Sequence, residues 1–82
     1  MILVDVYVPV MDEIYDFYLD ENVEAGILIE QMAEMICQKE QCPLKGESGK
    51  LSLWRPDAQY KLSRGDTLKK ARVEAGDSLL LV

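Results

Sequence analysis

The chain has 82 residues, a formal net charge of −6, two cysteines and no histidine. This length allows one small core and leaves no room for a deep cleft, and no apolar run reaches the ~20 residues that span a membrane. The N-terminal residues alternate with strand period and lack a basic segment, so we do not expect them to be a signal peptide. We therefore expect one domain over residues 1–82, located in the cytoplasm, with no direct membrane insertion.

Catalysis and metal binding are not expected. Without histidine the chain lacks the commonest general base and the usual partner of a nucleophile. The acidic pairs at residues 12–13 and 20–21 are interpreted as solvated loop charges. Cys37 and Cys42 are too few for a disulfide framework or a zinc site, although a disulfide between them stays open. We predict no catalytic residues, no cofactor and no metal.

Charge is strongly polarised along the chain. Residues 1–38 contain nine acidic residues and no Lys or Arg, whereas residues 39–82 contain nine basic and six acidic residues. The two parts therefore carry −9 and +3, which together give −6. Such a dipole can orient a protein partner before contact or simply aid solubility. The overall acidity disfavours nucleic-acid binding.

The first predicted elements form a hairpin. Apolar residues alternate with period two from Ile2 to Val10, which predicts a strand, and Pro9 is tolerable near a strand end. Residues 11–13 predict a turn. A second alternation, from Ile14 to Leu19, predicts the second strand.

One long amphipathic helix is predicted from about Val23 to Gln41. Asn22 is the predicted N-cap, Lys39 suits the negative end of the helix dipole, and Gly26 is expected to weaken the helix by ~1 kcal/mol relative to alanine. Ile27 lies outside the apolar stripe and is predicted to make a separate protein contact. The residues of the expected buried stripe share a spacing of 3.6: Ala25, Leu28, Ile29, Met32, Met35 and Ile36.

Three short strands complete the predicted sheet. A polar loop over residues 42–50 precedes a strand at Leu51–Arg55, and further strands are expected at Ala58–Leu62 and Ser78–Val82. Leu68 and Val73 are predicted to anchor a short 3₁₀-like segment before the last strand.

Residues 62–81 carry the pattern L-x-R-G-D-T-L-(x)4-V-x-x-G-D-x-L-x-L, which resembles the last third of ubiquitin-like proteins. The resemblance implies an α+β, ubiquitin-like β-grasp fold: a mixed sheet of about five strands packed on one long amphipathic helix, with the last strand parallel to the first and beside it. The sequence ends at Val82 without the diglycine tail that conjugation needs. We therefore expect neither conjugation nor sulfur-carrier chemistry.

In size, element order and ending, the chain is most similar to the YukD/EsaB-type ubiquitin-like proteins of bacterial type VII (WXG100) secretion systems. This resemblance implies an accessory or regulatory role through protein contacts. Two alternatives stay open. One is a small ubiquitin-fold structural subunit of a bacterial multicomponent monooxygenase, and the other is an adaptor domain of unknown pathway.

Strand alternation also predicts a binding surface. The sheet residues that point away from the helix are unusually apolar for a solvated face. A bulge that turns Trp54 inward, or a loop 42–50 that folds over the face, would hide part of it. The predicted surface serves a protein partner or a homodimer and consists of Leu3, Tyr7, Tyr18, Trp54, Leu80 and Val82.

Overall fold

A computed structural model describes residues 1–41 and 50–82. Strands β1 (Ile2–Val8) and β2 (Glu13–Leu19) form a hairpin around a 3₁₀ turn at Pro9–Met11. Helix α1 (Ala25–Glu40) follows, and strands β3 (Leu53–Arg55), β4 (Tyr60–Lys61) and β5 (Ser78–Leu81) complete the order. The strands expected at 51–55 and 58–62 are shorter than predicted, and the predicted loop over 42–50 lies outside the described residues except for Lys50.

The sheet has the order β2-β1-β5-β3-β4, so the last strand lies at its centre. β5 runs parallel to β1 and antiparallel to β3, which confirms the predicted mixed sheet. Gly76 makes this insertion possible: its φ of 88° lies in the region that favours glycine, and its amide donates to the Leu3 carbonyl at 2.7 Å.

The core lies between the sheet and α1. One face of every long strand is buried, and Leu68 and Val73 are buried as predicted. The core is entirely hydrophobic among the described residues, and its members are Val4, Val6, Val8, Tyr15, Phe17, Leu19, Ala25, Leu28, Ile29, Met32, Ala33, Ile36, Leu53, Leu62, Leu68, Val73, Leu79 and Leu81.

The predicted Asn22 cap is wrong. Glu24 occupies the N-cap position with extended backbone and without a side-chain cap, and the Asn22 amide instead donates to Asp20 Oδ1 at 2.9 Å. The first amides of α1 are satisfied from elsewhere in the chain: Ala25 donates to the Asp66 carbonyl at 2.6 Å, and Gly26 donates to the Arg64 carbonyl at 2.9 Å. Backbone carbonyls therefore accept the hydrogen bonds that a capping side chain would otherwise accept.

Met35 is also wrongly placed in the buried stripe. Its side chain is 47% exposed, and Ala33 is buried instead. Met35 lies beside β2, where the sheet ends and where no further strand formed by residues 1–41 and 50–82 covers the helix. Lys39 does lie in the last helical turn, as predicted.

The segment before β5 is a series of hydrogen-bonded turns rather than the expected 3₁₀-like helix. The Ala71 amide donates to the Thr67 carbonyl, and the Val73 amide donates to the Leu68 carbonyl. These bonds span four and five residues. The Arg72 amide makes one three-residue bond, to the Lys69 carbonyl at 3.1 Å, but this step is not repeated by successive residues as it is in a 3₁₀ helix.

Candidate protein-binding surface

One row of side chains crosses the whole sheet on the face opposite α1. Strand register pairs Ile14 with Tyr7, Tyr7 with Leu80, Leu80 with Trp54, and Trp54 with Lys61. Directly paired residues point to the same side of a sheet, so these five side chains form a continuous line over five strands. We call this line the outward row.

The outward row is apolar and accessible along most of its length. Ile14 is 65% exposed and Tyr7 is 39% exposed, whereas Trp54 and Leu80 are half-buried. The Tyr7 hydroxyl donates to Asp12 Oδ1 at 3.3 Å, which holds the ring at the hairpin end of the row.

Trp54 packs against the basic end of the row. The Lys61 ammonium nitrogen lies 6.0 Å from the centre of the Trp54 ring, at the outer limit of a cation–π contact. The indole Nε1 is buried, and no group in residues 1–41 or 50–82 accepts its hydrogen. β3 pairs regularly with both neighbours around this position, and Leu53 is buried on the opposite face. Trp54 therefore points outward without the bulge that would have turned it inward.

A polar row interrupts the predicted surface. Asp5 pairs with Asp16 on β2 and with Ser78 on β5. A side-chain hydrogen bond with Asp16, and then the charge of Asp16, raise the pKa of Asp5 above its ordinary value of 3.8. When both groups are ionised, like charges at this directly paired position repel each other across the strands.

The six predicted sheet residues therefore fall into three groups. Leu3 and Tyr18 pair with each other but lie beyond the polar row, and Tyr7, Trp54 and Leu80 belong to the outward row. Val82 is 43% exposed and follows Leu80 at the next outward position, and its backbone exchanges hydrogen bonds with Ser52. All six lie on the predicted side of the sheet.

Ile27 does not join this surface. It lies on α1, the layer on the other side of the sheet, where it is 47% exposed. The outward row in turn contains Ile14 and Lys61, which the sequence-based surface omitted. The alternation already placed Ile14 outward, but only the register shows that it is the direct partner of Tyr7.

The described residues offer no metal centre, since no group of three or more Cys, Asp or Glu side chains is arranged to hold an ion in residues 1–41 and 50–82. Cys37 is half-buried on α1, and Cys42 lies outside the described part, as does the loop that was considered as a cover for the sheet face. None of the helices in the described ranges has the length and apolarity needed to cross a membrane.

Comparison with solved structures agrees with this architecture. The chain superposes on the solution structure of the N-terminal ubiquitin-like domain of the 4931431F19Rik protein with a TM-score of 0.68 and 21% identity. The match covers 99% of this chain and 72% of the other. The fold is ubiquitin-like. No protein-family model matches the sequence, and no curated protein matches it.

Proposed function

We propose that residues 1–82 form one ubiquitin-like domain that acts as a non-catalytic protein-binding module, with the outward row and Val82 as its docking surface. The observation that supports this most is the continuity of apolar side chains over the sheet. Ile14, Tyr7, Leu80 and Trp54 are consecutive register partners. Aromatic side chains at the centre of such a row supply large contact areas at low entropic cost.

The proposed occupant is a different protein rather than a second copy. The polar row lies directly beside the outward row and contains both Asp5 and Asp16. A symmetric dimer with its two-fold axis beside Asp5 and Asp16 would bring these carboxylates of both copies together, which costs binding energy. A partner with an apolar centre and a basic rim would instead match both rows.

The proposed pathway is type VII (WXG100) secretion in a bacterial cytoplasm, where the domain would be an accessory or regulatory component. This proposal rests on the similarity in size and element order to YukD/EsaB-type proteins; the pattern in 62–81 supports the ubiquitin-like fold and does not single out that family. Leu3 and Tyr18 are proposed to contribute at the periphery of the same contact. Ile27 is proposed as a separate contact on the helix.

Two experiments test the pathway and the surface separately. Genes for a secretion ATPase and WXG100 proteins next to this gene would support the pathway, whereas hydroxylase-subunit genes there would favour the monooxygenase alternative. To test the surface, the cytoplasmic domains of the proteins encoded by the neighbouring genes are purified and assayed for binding to this protein. A Trp54→Ala, Tyr7→Ser double variant that stays folded should lose binding. Undiminished binding by this variant would contradict the proposed surface.

A further inference from the structure

Among the described residues, 1–41 and 50–82, strand β2 forms an edge of the sheet. It lies at the end of the strand order and is 7 residues long, while β4 at the other edge has 2. Within residues 1–41 and 50–82, β2 makes no backbone hydrogen bond to a segment other than β1. A long edge strand presents a row of amide and carbonyl groups that an extended chain can pair with.

A groove runs beside this edge. It has a volume of about 420 Å³ and lies between β2 and α1, where Phe17, Met35 and Ile36 provide apolar lining. The exposed Met35 side chain is therefore one wall of a surface that no strand of the described part of the chain covers. A strand added to β2 would place alternate side chains in this groove and the others on the outward face.

The outward side of β2 has a specific charge pattern. Asp16 lies between the exposed Ile14 and Tyr18 at the other outward positions of the strand. Its cross-strand partner is Asp5, so two carboxylates meet there. No Lys or Arg of the described ranges lies within 4.0 Å of either carboxylate. A cationic side chain on an added strand would be attracted by both.

We infer that β2 accepts an extended peptide of another protein as a sixth strand, with a Lys or Arg of that peptide beside Asp16 and apolar residues beside Ile14 and Tyr18. Main-chain pairing would supply affinity, and the alternating side chains would supply specificity. The inference goes beyond the proposed function, because it uses the edge of the sheet rather than its face and does not depend on the pathway.

A second copy of β2 is a poor occupant of this edge. The strand sequence EIYDFYL contains two acidic residues and no basic one. Pairing two β2 strands would therefore add acidic side chains next to Asp16 and leave its charge uncompensated. The charge pattern instead selects a basic, apolar peptide.

Three matched synthetic peptides test this inference, each as long as β2. In the first peptide, the central outward position is Lys, the outward positions on either side of it are Val, and both terminal residues are Ser. The second has Glu in place of Lys, and the third carries N-methyl groups on alternate amides to block strand pairing. Binding to the intact protein is followed by amide chemical shifts and by the dissociation constant.

We expect the Lys peptide to shift the amide resonances of β2 and to bind about tenfold more tightly than the Glu peptide, since opposite charges replace like charges at one cross-strand position. The N-methylated peptide should not bind. Asp16→Lys should reverse the preference between the Lys and Glu peptides. Trp54→Ser should leave this preference unchanged, which would show that the peptide site is distinct from the outward row.

Several outcomes would overturn the inference. The Lys and Glu peptides could bind equally well, or Asp16→Lys could leave the preference between them unaltered. The N-methylated peptide could bind, or no peptide could shift the amide resonances of β2. Concentration-dependent β2 shifts without any peptide would show self-pairing of the chain and would also overturn it.

Discussion

Tyr7 and Leu80 are register partners in the parallel pairing of β1 with β5, and this pair joins the hairpin to the C-terminal strands on the outward face. Without the pairing of β1 with β5, Ile14 and Tyr7 of the N-terminal hairpin would not lie in one row with Trp54 and Lys61. Because β5 is inserted at the centre of the sheet, residues distant in sequence form one row. The proposed docking surface is therefore a consequence of the topology as much as of composition.

Asp5→Asn should stabilise the protein at neutral pH. Hydrogen bonding and repulsion from Asp16 raise the pKa of Asp5 above 3.8, so the folded protein holds this proton more tightly than the unfolded chain does. The free energy of unfolding therefore falls as the pH rises through the raised pKa. The advantage of Asn should be full above that pKa and should vanish below about pH 4, where Asp5 is protonated in both states.

Chemical unfolding at several pH values measures this effect. Glu30→Gln makes the same change in net charge at an exposed helix position and serves as the control. An equal stabilisation by both variants would show that net charge, rather than the Asp5–Asp16 pair, is responsible.

The sequence predicted which face of each strand is buried better than it predicted which strands pair with each other. The period of two from Ile2 to Val8 correctly separated buried from outward residues, because burial on one face is encoded locally. The register that joins Tyr7 to Leu80 depends on the long connection before β5, so alternation could not predict it. The grouping of Leu3 and Tyr18 with Tyr7 has a different cause: the alternation itself places Asp5 between Leu3 and Tyr7 on the outward face, and this polar interruption was not taken into account.

The helix start shows a second limit. Asn22 has good capping chemistry, but carbonyls of Arg64 and Asp66 already satisfy the first amides of α1. That contact depends on tertiary structure and has no local signal. Met35 fits the helical period equally well, yet it lies where the sheet ends. The period of the helix gives no information about the width of the sheet, so it cannot predict that Met35 is exposed.

Gly26→Ala should give no net stabilisation, although alanine is favoured by ~1 kcal/mol in a helix interior. A Cβ at this position would lie 3.2 Å from Arg64 Cβ and 3.3 Å from the Arg64 carbonyl oxygen. That oxygen also accepts the Gly26 amide hydrogen, so it cannot move away without weakening the cap. The measurement is the free energy of unfolding in urea. A gain of the full helix-propensity difference would contradict the close approach.

Arg55→Lys should lower the free energy of unfolding by about 1–2 kcal/mol. The Arg55 guanidinium donates through Nη1 to the Ala71 carbonyl at 2.8 Å and through Nη2 to Asp57 Oδ2 at 3.0 Å. A lysine ammonium cannot reproduce this fork, so β3 would lose its link to the turns before β5. Arg72→Lys at an exposed position is the matched control and should change stability little. Equal effects at both positions would show that the fork does not matter.

Tyr60 should ionise at a higher pH than in an Asp66→Asn variant. Its hydroxyl donates to Asp66 Oδ2 at 2.9 Å, and this hydrogen bond, then the charge of Asp66, raise the pKa of Tyr60 above 10.0. Asparagine removes the charge, so the Tyr60 pKa should fall towards its ordinary value. Ring resonances followed by NMR during alkaline titration measure it. An unchanged Tyr60 pKa in the Asp66→Asn variant would contradict the contact.

The outward row is proposed as the docking surface, and fluorine NMR tests this proposal directly because the chain has 1 tryptophan. Protein labelled with 5-fluorotryptophan reports Trp54 as a single resonance during titration with the partner identified by the binding assay. We predict that this resonance shifts on binding and that Leu80→Ser weakens binding about 30-fold, as expected for a hot-spot residue. Leu3→Ser, beyond the polar row, should weaken binding by less than about threefold. Saturable binding that leaves the Trp54 resonance unshifted and the Leu80→Ser affinity unchanged would contradict the account.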